Sequence, residues 1–210
     1  MKEINIIDFG LMGKQISALF YLLGYEIGVY NKSKLNIYEF EKQIKLLQRK
    51  IDFSNFNAGK INIYQHIEDL KNSLTIESLN EDLNLKKEIM QILRDNNIVF
   101  SNSSSLSMDD LNCDFIHFFN TIYIKLIELC GSNLERFTPL KDLKKLGFHI
   151  ICSKGNRGAL ANLLLFNEIS SFFKIIEKYD YNFKECQTVY DLLYEKKFVK
   201  YYRHYRHRTL

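Results

Sequence analysis

The sequence is poor in the residues that mark fibrous, zinc-bound or turn-dense proteins. One proline and nine glycines in 210 residues exclude collagen-like and proline-rich classes. They also speak against an all-β protein, which uses more of both at its turns. Tryptophan is absent, and the four cysteines are Cys113, Cys130, Cys152 and Cys186. None forms a C-x-x-C pair or a zinc-ligand spacing, so no metal site is expected. Three lie in or beside apolar runs, where a thiol serves as a small hydrophobe. The longest apolar runs, such as Leu163–Phe166, are too short to cross a bilayer, and MKEINIIDFG holds no apolar stretch of secretory-signal length. A reduced, cytoplasmic protein away from the membrane is the expectation.

What is present is a globular composition, 46% apolar and 26% charged, which excludes disorder throughout. Lys and Arg number 29 against 25 acids, for a net charge of +4. That excess sits at one end. Residues 196–210 carry Lys196, Lys197, Lys200, Arg203, Arg206 and Arg208 and no acid, so the body of the chain is slightly acidic. The basic character is a property of the tail, and nucleic acid is not the expected partner of the fold.

Along the chain, short β-branched runs alternate with segments of helical period. Ile4–Ile7 reads as a buried strand. Gly10 and Gly13 follow, then Ile16, Leu19, Phe20, Leu22 and Leu23 at helical spacing up to Gly24, then a strand at Ile27–Tyr30. Strand, glycine turn, helix and strand make a βαβ unit. Further helices are expected at 36–51 and 82–94 and after Thr138–Pro139. Further strands are expected at 61–64, 73–77, 97–101, 115–119, 124–129 and 148–152. The remainder from Arg157 reads as helical. The pattern predicts an α/β, doubly wound, mostly parallel sheet followed by a short helical extension. The boundaries expected are 1–154 for the sheet domain, 155–195 for a short helical domain and 196–210 for a basic aromatic tail.

Five segments carry a family resemblance in order. They are I-N-I-I-D-F-G-L-M-G (4–13), T-I-E-S-L-N-E-D (75–82), S-N-S-S-S-L (101–106), H-F-F-N with K-L-I-E (117–120 and 125–128), and the helix around Asn162. Together they resemble the 3-hydroxyacyl-CoA dehydrogenases, over residues 4 to about 165. The resemblance implies a Rossmann-type fold, NAD as cofactor, an acyl-CoA or acyl-carrier thioester as substrate and a homo-oligomer. It makes His117 the base, a role that suits a side chain titrating near neutrality, and Glu128 the carboxylate that braces it. Ser104 and Asn162 would hydrogen-bond the substrate oxygen. Phe9, Gly10, Leu11, Met12 and Gly13 would form the phosphate turn. Asn31 and Lys32 would meet the adenosine ribose, and Glu81, Lys86 and Asn120 would contact the cofactor. Lys42, Lys45 and Arg49 lie where the family receives the CoA nucleotide.

Each of these residues also has a plain structural reading. His117 beside Phe118 and Phe119 suits a packed core, Ser101–Ser105 suits a polar turn, Asn162 suits a packing hydrogen bond, and the basic helix face suits solvent. The sequence departs from the family at several places. Asp8 stands where the first glycine of G-x-G-x-x-G is expected and brings an anion to the pyrophosphate turn. Asn31 replaces an acid and is followed by a cation, which admits NADP as the alternative cofactor. Thr121 replaces a proline, the spacing from His117 to Glu128 is one residue short, and Gly155–Gly158 replaces an Asp-Thr-Pro-Gly-like stretch. A non-catalytic Rossmann binding module is the alternative function. Single-stranded nucleic acid at the aromatic, cationic tail is a third reading.

Overall fold

Short β-branched apolar runs become strands here, and runs with a period near 3.6 become helices. The computed structural model describes residues 2–32, 36–95, 97–153 and 159–193. Among them, strands β1 (Glu3–Ile7), β2 (Glu26–Tyr30), β3 (Lys60–Tyr64), β4 (Leu74–Glu77), β5 (Ile98–Ser101), β6 (Asp114–Phe118), β7 (Leu126–Cys130) and β8 (His149–Ser153) form one sheet. Helices α1 (Leu11–Leu22), α2 (Ile37–Gln48), α3 (Leu83–Leu93), α4 (Met108–Leu111) and α5 (Leu140–Lys145) lie between strands along the chain.

The strand order is β3-β2-β1-β4-β5-β6-β7-β8. Pairings from β3 through β6 are parallel, β6 and β7 are antiparallel, and β7 and β8 are parallel again. The doubly wound, mostly parallel sheet expected from the sequence is therefore present. The direction of β7 and β8 is an addition, because direction is set by pairing and leaves no mark on periodicity. Central strands β1 and β4 are buried along nearly their whole length, as strands covered on both faces must be. Ile4, Ile6, Ile16, Leu19, Ile27, Ile76 and Ile116 belong to the main core. Helix α4 is a single turn that the sequence pattern did not announce. It is held by a capping box between Ser107 and Asp110, a polar signal rather than an apolar one.

The chain divides into two compact units, Met1–Leu160 and Ala161–Leu210. The described part of the second consists of α6 (Leu160–Tyr179) from Ala161 onward and α7 (Phe183–Leu193). Phe172 meets Phe183 edge-on at 6.0 Å and Tyr190 at 5.6 Å, and the Tyr190 hydroxyl donates to Glu168. The helical extension is thus seen as two helices. Ser33, Gly155–Gly158 and the tail 196–210 lie outside the described residues. No described helix is long and apolar enough to cross a membrane.

Candidate active site

Ligands of doubly wound sheets bind beyond the carboxyl ends of the strands, where the winding reverses. Here that point lies between β1 and β4, and the residues after them meet there. The turn after β1 has Asp8 in the left-handed region, at φ 74. Asp8 Oδ2 accepts from the Gly10 N–H at 3.0 Å, and Asn31 Oδ1 accepts from the Phe9 N–H at 2.9 Å. The Phe9 ring packs inward, 5.5 Å from that of Phe40 on α2, so Phe9 offers the turn only its backbone. Gly10 is the N-cap of α1 and supplies no side-chain cap, which leaves the first-turn N–H groups around Leu11, Met12 and Gly13 to other acceptors. At Gly13 a Cβ would run into the carbonyl oxygen of Asp8. Glycine there is what lets α1 start this close to β1.

Next along the crevice is a cluster of acids and serines. Glu77, at the end of β4, is fully buried and accepts from the Lys86 ammonium at 2.6 Å, from the Ser101 hydroxyl at 2.6 Å and from the Leu79 N–H at 2.5 Å. Lys86 also donates to the Leu79 carbonyl at 3.0 Å and has 0% exposure. As placed, its ammonium has no surface to offer a cofactor, and the expected contact becomes a brace beneath the crevice. Glu81 accepts from the Ser103 hydroxyl at 2.5 Å, the Ser104 N–H at 2.6 Å and the Ser104 hydroxyl at 3.0 Å. Burial pushes its carboxyl up, but these serine bonds and the nearby Lys86 charge outweigh that and hold it below the ordinary glutamate value.

Strands β5 and β6 are paired only at Phe100–Asp114 and Ser101–Phe115. Beyond that point the Asn102 side-chain oxygen accepts from the Phe118 N–H at 2.8 Å, so a side chain spans the gap where the strands part. His117 lies one residue from the end of β6, directly opposite Glu128 in the antiparallel ladder. Opposed side chains in such a ladder start about 5 Å apart at Cβ, which puts imidazole and carboxylate on one face within reach of each other. Both are buried, at 8% and 3% exposure. Phe119 stands edge-on to the imidazole at 4.5 Å. Glu128 Oε1 also accepts from the backbone N–H of Leu160, the last residue of the first unit, at 2.7 Å. The shortened loop between the two residues therefore still yields a register pair. Thr121 in that loop is buried, and its hydroxyl donates to Gln15 of α1 at 3.5 Å.

The remaining candidates lie on other elements. Lys42 and Lys45 are exposed on α2, the helix between β2 and β3, and Arg49 is exposed at its C-cap. Strand β2 is four strand positions from β6 in the sheet, or about 19 Å at the usual spacing, so this basic face is not gathered around His117. Asn31 is half-buried and Lys32 exposed beside the turn. Asn162 is buried on α6 in the second unit. Sequence reasoning gave no role to Glu77 or to Ser78. The Ser78 N–H donates to the Ile7 carbonyl at the switch point, and its buried hydroxyl oxygen makes no hydrogen bond among the described residues. The same is true of the Asn120 side-chain oxygen. No group of acids, histidines and cysteines able to hold a metal occurs among the described residues.

The first six strands in the order 3-2-1-4-5-6, with a glycine turn at the reversal, define a Rossmann-type dinucleotide-binding protein. Two buried polar atoms without partners among the described residues, on Ser78 and Asn120, fit a polar ligand lying across that crevice. The family model for "3-hydroxyacyl-CoA dehydrogenase, NAD binding domain" matches residues 3–136, and the chain belongs to that family. It is 27% identical to a 3-hydroxybutyryl-CoA dehydrogenase of Clostridioides difficile, over 63% of this chain and 55% of that protein. The chain thus spans about half the length of that relative. Its fold is similar to that of (S)-3-hydroxybutyryl-CoA dehydrogenase from Ralstonia eutropha, with a TM-score of 0.76, 20% identity and coverage of 93% of this chain and 78% of that one. It is similar also to a 3-hydroxyacyl-CoA dehydrogenase from Archaeoglobus fulgidus, with a TM-score of 0.70, 22% identity and coverage of 91% and 69%. At these identities the structural likeness is one of fold.

Proposed function

We propose that the chain interconverts 3-hydroxyacyl and 3-oxoacyl thioesters with NAD, the thioester being carried on CoA or on an acyl-carrier protein. The observation that carries this reading is the buried His117–Glu128 pair, opposed across β6 and β7 at the ligand end of a dinucleotide-binding sheet. In the oxidative direction His117 takes the proton of the substrate hydroxyl. Glu128 favours the imidazolium that results and keeps the ring oriented. NAD, held at the Gly10–Gly13 turn, would supply the hydride acceptor for the carbinol carbon, which balances the oxidation to the ketone. Ser104 keeps the role the resemblance gives it, hydrogen-bonding the substrate oxygen. Gly10–Gly13 would take the pyrophosphate, with Asn120 and Ser78 beside the cofactor. The Lys42, Lys45 and Arg49 face would receive the CoA nucleotide.

Two finer readings accompany this one. NADP is accepted alongside NAD, because Asn31 spends its side-chain oxygen on Phe9 and the next residue is a cation. Four cysteines without a disulfide fit a reducing cytoplasm. The test is loss of absorbance at 340 nm with acetoacetyl-CoA and either NADH or NADPH. His117→Ala is expected to lower kcat by about 10²- to 10⁴-fold, the usual loss for a general base. Full activity in that variant would refute the assignment. Cofactor binding without any turnover in the wild type would favour the non-catalytic module.

A further inference from the structure

We propose that Asp8 is an internal competitor for the dinucleotide. Its carboxylate occupies the Gly10 N–H that a pyrophosphate oxygen would otherwise take, and this sets the affinity of the site. The inference rests on the cofactor reading given above and adds to it a residue that tunes binding.

Asp8 holds a conformation that side chains other than glycine seldom adopt, at φ 74. Such a conformation persists where its surroundings fix it, and two bonds do so here. The Asp8 N–H donates to the Tyr30 carbonyl at 2.9 Å, and its Oδ2 accepts from the Gly10 N–H at 3.0 Å. The neighbouring Phe9 N–H is taken by Asn31 Oδ1. Two successive N–H groups of the turn are therefore already satisfied by side-chain oxygens, one of them anionic. A carboxylate gains from the N-terminus of α1 for the same reason a phosphate does. Gly10 keeps that carboxylate seated, since a Cβ there would stand 2.9 Å from Asp8 Oδ2. A pyrophosphate entering the turn must displace Asp8 from Gly10 or lie against its charge, and either route weakens binding.

The experiment is calorimetric titration of wild type, Asp8→Asn and Asp8→Gly with NADH at low and high salt, with circular dichroism to establish that each is folded. Asparagine keeps the acceptor oxygen and tolerates the left-handed region but removes the charge. Glycine removes both charge and acceptor and is at ease with the backbone. Removing one like charge a few ångströms from the phosphates lowers Kd by about five-fold or more. Asp8→Asn is expected to bind that much more tightly than wild type, and Asp8→Gly more tightly still. Added salt should narrow the gap between wild type and Asp8→Asn, because it screens the repulsion. Equal or weaker binding by the folded variants would overturn the proposal while leaving the cofactor reading intact. Absence of NADH binding by all three would overturn both.

Discussion

Glu81 shows how much a single carboxylate can organise. It was expected to touch the cofactor, and it holds the Ser103–Ser104 turn through two hydroxyls and an N–H. The pH consequence has a definite sign. A carboxyl held below its ordinary value in the folded protein contributes stability above the unfolded value, and that contribution disappears as pH falls through the folded one. Burial works against the shift, while the serine bonds and Lys86 produce it. The Ser103–Ser104 turn is therefore expected to keep its clamp through the ordinary glutamate range and lose it only at lower pH. The Ser104 amide resonance is the probe. Its chemical shift should titrate with a midpoint below that of a free glutamate in the wild type and stay flat in Glu81→Gln. A midpoint at or above the ordinary value would refute the clamp.

Lys86 ties two elements together, fastening the first turn of α3 to the end of β4 through Glu77, both side chains being fully buried. Removing one partner of a buried pair strands the other charge, at a cost of about 3–5 kcal/mol. Lys86→Met is expected to lose that much in urea unfolding. Adding Glu77→Gln should restore part of it, because the stranded charge is gone, and strictly additive losses would mean the two side chains do not act as a unit. This pair was hidden in the sequence for a physical reason. Glu77 and Lys86 flank a helix start, where charges are usually solvated, and nothing local says that β4 and α3 enclose both. Elements built on periodicity were legible: β1, α1 and β2 with the glycine turn, α3 with its Asp82 cap, and β5 ending at the serines. The one-turn α4 and the reversal at β7 were not, the first for want of an apolar repeat and the second because pairing alone decides direction. At the site, His117 and Glu128 were legible as a pair by resemblance. The bond from Asp8 to Gly10 was not, since it depends on a backbone angle.

At the scale of the molecule the outstanding feature is apolar surface on the second unit. Helix α6 has 20 residues, about 30 Å of helix, and α7 has 11, so α7 can cover only part of it. Leu163, Leu164, Phe166 and Ile175 on α6, and Val189, Leu192 and Leu193 on α7, are exposed, Leu164 at 64% and Leu192 at 75%. Single exposed leucines are ordinary, but apolar side chains repeated along two helices are more than a lone monomer usually leaves in water. The family resemblance implies a homo-oligomer, in which a second copy would supply the same apolar helices in return, as a two-fold interface requires. Sedimentation equilibrium at micromolar concentration is expected to give a particle of twice the 24.9 kDa chain mass. Leu164→Glu places a charge in that surface and should shift the equilibrium towards monomer. Its far-ultraviolet dichroism should stay unchanged, because the first unit carries its own core. A wild-type chain that sediments as a monomer under those conditions would refute this assembly and assign the exposed leucines to a different partner.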